Sequence, residues 1–350
     1  MNSAVSVFQH TPWWPVILLA LSALAFYIAS RLGAAALDRR GDHPAGAAAA
    51  HWLPIAVVTL AVLKQYPHAA ISIIFGSSVA CLTLVPGVTL LSAPTSLPDA
   101  ILPIEAPGTN DRRAWSMVLP AAMLALLAGF RGYFTLLHGV LFLVQGLAAL
   151  FVWTSTARHE PAATVDGPSM SRTGVAVAVV KLVFWIAFTL CGAFIAGLGT
   201  QDMSARFPHV SSGVVGALMI APALVLPMIG SALSLSARGR GSAIISTSVD
   251  CVLLNLCVLL PIAIFAWPVI SNWPTHGIQG LWNGQLFNSP VTPLPYSMAT
   301  WRIDAVMLIV FGAALLMVST RRWSPGRAEG AIGVLAFALY ISANAGLATK

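Results

Sequence analysis

Charge is what this sequence has least of. Asp, Glu, Lys and Arg together make up 8% of its 350 residues, against 58% hydrophobic. A water-soluble fold cannot bury that much apolar surface, so lipid is the expected solvent for much of the chain. Cysteine is also scarce. Cys81, Cys191, Cys251 and Cys257 all fall in apolar segments. None has metal-ligand spacing, and a disulfide framework is excluded as an organising principle. The net charge is +7, but the basic residues are scattered over loops without interleaved aromatics, so nucleic-acid binding is not expected. Enzyme signatures are missing as well: the chain has no H-E-x-x-H, no phosphate loop and no G-x-S-x-G. The N-terminal MNSAVSVFQHTPWW lacks a basic region, and the apolar run after it is too long for an ordinary signal peptide, so it reads as a retained helix.

Long hydrophobic runs are abundant. A spanning helix needs about 20 mostly apolar residues. By that measure about ten segments qualify: 13–31, 45–63, 68–92, 114–130, 132–156, 173–199, 211–236, 242–269, 301–320 and 329–347. The expectation is an all-α polytopic membrane protein. Between the segments lie turn and charge signals such as ALDRRGDHP, RHEPAATVDGPSMSR and ARGRG. The stretch 270–300 has no charged residue but holds Trp273 and Trp282, and is expected to be a loop at the membrane interface.

Lys and Arg set the orientation. With the N-terminus outside, the inside loops hold Arg31, Arg39, Arg40, Arg112, Arg113, Arg158, Arg172, Arg238, Arg240, Arg321, Arg322 and Arg327. The outside then holds only Lys64, Arg131, Arg206, Arg302 and Lys350. Both termini are therefore expected outside, with the chain integral to the plasma (inner) membrane.

The two halves read alike. Leu53-Pro54 and Leu226-Pro227 each sit in an apolar segment, and each is followed by a turn and a small-residue run, FGSSVACL at 75–82 and STSVDCVLLN at 246–255. Five helices per half is an odd number, so the second copy must insert upside down relative to the first. This gives a first repeat over 1–157, a cytoplasmic linker over 158–172 and a second repeat over 173–350, together one membrane domain with a site between the repeats.

In these residues the chain resembles the membrane region of the cation/calcium exchanger superfamily, which includes sodium/calcium exchangers. That family repeats G-T-S-L-P-E, then about twenty residues, then G-S-N/D-I-F-N. Leu226-Pro227 through Asn255 is similar, and so are Leu53-Pro54 with Gly76-Ser77-Ser78. Arg327-Ala328-Glu329-Gly330 resembles the family's R-x-E-G motif. The resemblance implies a secondary ion transporter of alternating-access type, cation antiport, with no cofactor beyond the transported cation. It also exposes departures. The acids that follow Leu-Pro, central cation ligands in the family, are here Ile55 and Met228, and the Asn/Asp positions of the second motif are Ser78 and Val252.

What remains for ion binding is Ser77, Ser78, Asn255 and a displaced acid, Asp250. Calcium favours six to eight hard oxygens with several carboxylates, so the altered set favours sodium, a proton or only weakly held calcium. Asp250 lies deep in an apolar segment, where a charge is costly. Three readings stay open: a structural pair with Lys181, the one base deep in a span; an ion or proton site; a protonated carboxyl. His51, before the first Leu-Pro, and His138, where the R-x-E-G acid would fall in the first half, are ion-pair or proton candidates, or ordinary hydrogen-bonding residues. The missing acids also allow a second function, a non-transporting membrane scaffold or accessory subunit. Lipid and a transported ion are the expected partners; the sequence names no protein partner.

Overall fold

The computed structural model describes residues 13–37, 55–60, 63, 66–93, 115–157, 172–208, 210–237, 241–282, 293–320, 323 and 325–348. Their backbone is almost wholly helical. In order they form α1 (Trp14–Leu37), α2 (Pro67–Leu91), α3 (Val118–Gly129), β1 (Tyr133–Phe134), α4 (Leu136–Ala157) and α5 (Arg172–Arg206). Then come α6, a helix in three pieces (Ser212–Val215, a π-helical turn Gly216–Ile220, Ala221–Ser236), and α7, likewise (Gly241–Leu254, a π-helical turn Asn255–Leu259, Leu260–Trp282). β2 (Leu294–Pro295), α8 (Met298–Ser319) and α9 (Arg327–Ala348) complete it. Residues 55–60 are helical too.

Among the described residues, six helices are long and apolar enough to cross a membrane, by length and composition. α1, α3 and α4 contain shorter apolar stretches. Outward-facing side chains are themselves apolar, among them Leu137, Leu147 and Phe151 on α4, Leu190 and Phe194 on α5, and Leu335 and Leu339 on α9. Patches of this kind suit a hydrocarbon solvent and not water.

α2 is the axis of the bundle. Every residue from 69 to 83 is buried. A helix apolar on all sides with neighbours on all sides is what such a sequence can form. α6, α7, α8 and α9 pack around it, while α1 and α5 form a pair that reaches the bundle through α6. The crossing of α2 with α9 depends on absent side chains. A Cβ on Gly87 would lie 2.8 Å from the Gly330 carbonyl oxygen, and one on Gly330 2.9 Å from that of Gly87. Small residues let membrane helices approach backbone to backbone. The Arg327 guanidinium bonds the Ala93 carbonyl, and Glu329 accepts the Gly326 N–H at 2.7 Å, which caps the start of α9.

Two expectations need correction. The segment 270–300 is not all loop. α7 continues through Trp282 past Pro268 and Pro274, and the Ser271 hydroxyl bonds the Pro268 carbonyl at 3.2 Å. Proline removes one donor but does not end a helix whose neighbours still hold it. The second departure is small: β1 and β2 pair antiparallel, Tyr133 with Pro295 and Phe134 with Leu294, which ties the α3–α4 turn to the start of α8.

Candidate functional site

Three of the polar residues singled out from the sequence, Ser77, Ser78 and Asn255, meet where α7 crosses α2. Ser77 and Ser78 lie on the buried middle of α2 and donate their hydroxyls back to the Ile74 carbonyl at 3.1 and 2.7 Å. Asn255 faces them from the other half of the chain. Its Nδ2 donates to Ser77 Oγ at 3.1 Å and to Ser78 Oγ at 3.3 Å. All three residues are fully buried. Asn255 Oδ1 has no hydrogen-bond partner, so a strong acceptor is left open in the core. Asn255 is also the first residue of the π-helical turn in α7. Such turns shift the backbone register by one residue and often mark functional sites in helices.

Pro227 lies inside α6 and cannot donate to the carbonyl one turn earlier, that of Ala223. Met228 follows, buried, and its Sδ receives the Cys81 thiol at 3.8 Å from α2. Ile55 is buried to 1% exposure. The two positions where the exchanger resemblance expects acids are therefore packed apolar side chains. Gly76 allows a close approach: a Cβ there would stand 2.9 Å from Ala221 Cβ and 3.2 Å from Tyr340 Oη. His51 and Pro54 lie outside the described residues.

Asp250 lies on α7, partly buried, five residues before Asn255. Lys181 lies on α5, whose main packing partner is α1, whereas α7 packs on α2, α4 and α6. Arg206 pairs with Asp202 at 2.9 Å, within α5. Lys181 and Asp250 thus lie on helices with different main packing partners. Depth along a helix gave no information on which neighbour each side chain faces. His138 is engaged locally: its Nδ1 accepts the Thr135 N–H at 3.1 Å at the start of α4, and its ring meets Phe134 edge-on.

One carboxylate was not singled out from the sequence. Asp304, on α8, is completely buried. Tyr340 Oη donates to its Oδ1 at 2.8 Å, and Tyr296 Oη to its Oδ2. Tyr296 in turn stacks on Phe75 with ring centroids 5.2 Å apart. The Asp304 cluster and the Asn255 cluster therefore contact the same turn of α2, one through Phe75 and Gly76, the other through Ser77 and Ser78. A usable signal was present, an acid inside the apolar run 301–320.

No protein-family profile and no curated protein matches this sequence. Solved structures do match. Native YfkE aligns with a TM-score of 0.64 and 13% identity over 99% of this chain and 96% of its own. The H+/Ca2+ exchanger CAX aligns at 0.57 and 15% identity over 98% and 89%. The sodium-calcium exchanger NCX_Mj aligns at 0.56 and 16% identity over 94% and 98%. The chain shares the fold of these three structures over almost its full length, and at such identities the likeness is one of fold.

Proposed function

We propose that the chain is a secondary active cation transporter, an antiporter working by alternating access with altered ion selectivity. The observation that carries this reading is the buried Asn255–Ser77–Ser78 cluster, built across the two halves of an exchanger fold and left with an open acceptor. Asn255 Oδ1 and the two serine hydroxyl oxygens form a neutral, hard-oxygen cluster. Asp250 lies on the same helix to supply a charge. That donor set suits a monovalent cation better than calcium, which takes more oxygens and more carboxylates. Met228 and Ile55 offer hard cations nothing.

The architecture proposed with it has about ten spans in two inverted five-helix repeats, 1–157 and 173–350, joined by a linker over 158–172. Both termini lie outside the inner membrane. Labelling of single cysteines placed at Asn2 and Ala348 checks this, and reaction only from the inside overturns it.

Purified protein in proteoliposomes, assayed for flux across a panel of cations with and without a pH gradient, tests the function. Gradient-driven movement of sodium or protons is the expected result. Silence across the whole panel favours the second reading, a non-transporting accessory protein, which the apolar Ile55 and Met228 positions support.

A further inference from the structure

We propose that Asp304 is a proton-binding site, reached from one membrane face by a file of buried polar side chains. The inference rests on the transporter reading above and extends it to the coupling ion. It starts from charge. α2, α3 and α9 pack against α8. α3 carries no titratable residue, and α2 carries His68 and Cys81. α9 carries Tyr340, with Arg327 and Glu329 at its far end. On α8 itself Arg302 points outward. Tyr296 adds a second phenol, and His138 of α4 faces the Phe134 ring. No cation among the described residues pairs with Asp304. A carboxylate in this position is costly as an anion, and binding a proton removes the cost.

The file follows from helix register. Positions four apart share a helix face at about 6 Å spacing. α9 runs antiparallel to α2, since Gly87 meets Gly330 and Gly76 meets Tyr340. One turn from Gly76 toward the start of α2 is Ser72. One turn from Tyr340 toward the end of α9 is Asn344, and one turn from Asp304 toward the start of α8 is Thr300. All three steps lead toward the same face. Ser72 Oγ, Asn344 Oδ1 and Thr300 Oγ1 are all buried, and all three lack a hydrogen-bond partner. A further turn along α2 is His68, in the first turn of the helix, whose Nδ1 is also without a partner. Four open polar atoms in register on three helices form a path for water or protons from the start of α2 to Asp304.

The proton balance closes without any other reactant. With Asp304 ionised, Tyr296 and Tyr340 both donate to it. A proton arriving through water or the His68 imidazole forms an O–H bond on Asp304 Oδ1, which then donates to Tyr340 Oη. The Tyr340 hydroxyl rotates away and can donate to Asn344 Oδ1, one turn on in its own helix. Tyr340 Oη also lies against Gly76, next to the serine that holds Asn255, so the proton and the ion cluster act on one turn of α2.

Infrared difference spectroscopy of the purified full-length protein in lipid, titrated with protons, tests this. A carboxylic-acid C=O band that titrates, survives Asp250→Asn and is lost in Asp304→Asn is the expected result. Tyr340→Phe removes a donor to the anion, so it should tighten proton binding about tenfold or more and move the midpoint to higher pH. It also serves where Asp304→Asn fails to fold. Ser72→Ala should slow hydrogen–deuterium exchange of the band. No titrating band, a band that persists without Asp304, or a midpoint unmoved in Tyr340→Phe overturns the proposal. A flux-silent protein that keeps the band sinks the transporter reading alone; a transporting protein without the band sinks this inference alone.

Discussion

At the scale of single residues, Asn255 is the most informative. Its amide nitrogen serves two serines and its oxygen serves none. Those serines also bond the Ile74 carbonyl, so the local helix does not depend on Asn255. Asn255→Leu should therefore cost only about 1 kcal/mol of stability, the scale of interhelical hydrogen bonds in membranes. Flux should nevertheless fall to background. Thermal melting beside proteoliposome flux checks both, and full transport by the variant would remove the cluster from the site. Asp250 and Lys181 make the complementary case. Since α5 packs on α1 and α7 packs on α2, Asp250→Asn and Lys181→Met should add within about 0.5 kcal/mol in a double-mutant cycle. A larger coupling in melting would show that the two side chains meet. Ser77, Ser78 and Asn255 were legible in the sequence because their motif spacing survives. The partners of Asp304 were not, because they are a tyrosine before its helix and another on the last helix. Neither is at motif distance.

At the scale of elements, the fold turns on how closely other helices reach α2. Helix identity was readable from apolar run length, and the described helices fall where those runs predict them. Their ends were less readable. α7 outruns its expected end because Pro274 looks like a breaker in isolation and is tolerated inside the helix. Nor did composition show which glycines matter, since that depends on what lies opposite. Gly330 faces the Gly87 carbonyl and Leu90, whereas a Cβ on Gly346 would meet nothing within 4 Å. Gly330→Leu should push α9 away from α2, weaken the Arg327 bond to Ala93, and cost about 1–3 kcal/mol, the usual range for overpacking. Gly346→Leu should be silent. Equal melting temperatures for the two variants would show that the α2–α9 crossing does not limit stability.

At the scale of the whole molecule, the chain shares its fold with the solved exchangers CAX and NCX_Mj, while the two positions where the sequence resemblance expects acids hold Ile55 and Met228, both 1% exposed. Each is packed as core. Neither side chain carries a charge that would offset a divalent cation, which is why calcium should bind weakly or not at all to the native chain. The argument runs in reverse as well. Ile55→Glu together with Met228→Glu would place two acids in a region with no described cation to pair them, and unpaired buried charges cost several kcal/mol each. The double variant should be unstable in chelator. If the two positions converge as the repeat motifs imply, calcium should restore stability, because a ligand that binds only the folded state adds about 2.7 kcal/mol at a hundredfold excess over its Kd. Native protein should melt at the same temperature with or without calcium. Rescue of the double variant by calcium but not sodium would place both residues at one cation site. Calcium-dependent melting of the native chain at micromolar concentration would instead mean that it holds oxygen ligands beyond Asp250, Asn255, Ser77 and Ser78, and the altered-selectivity reading would fail.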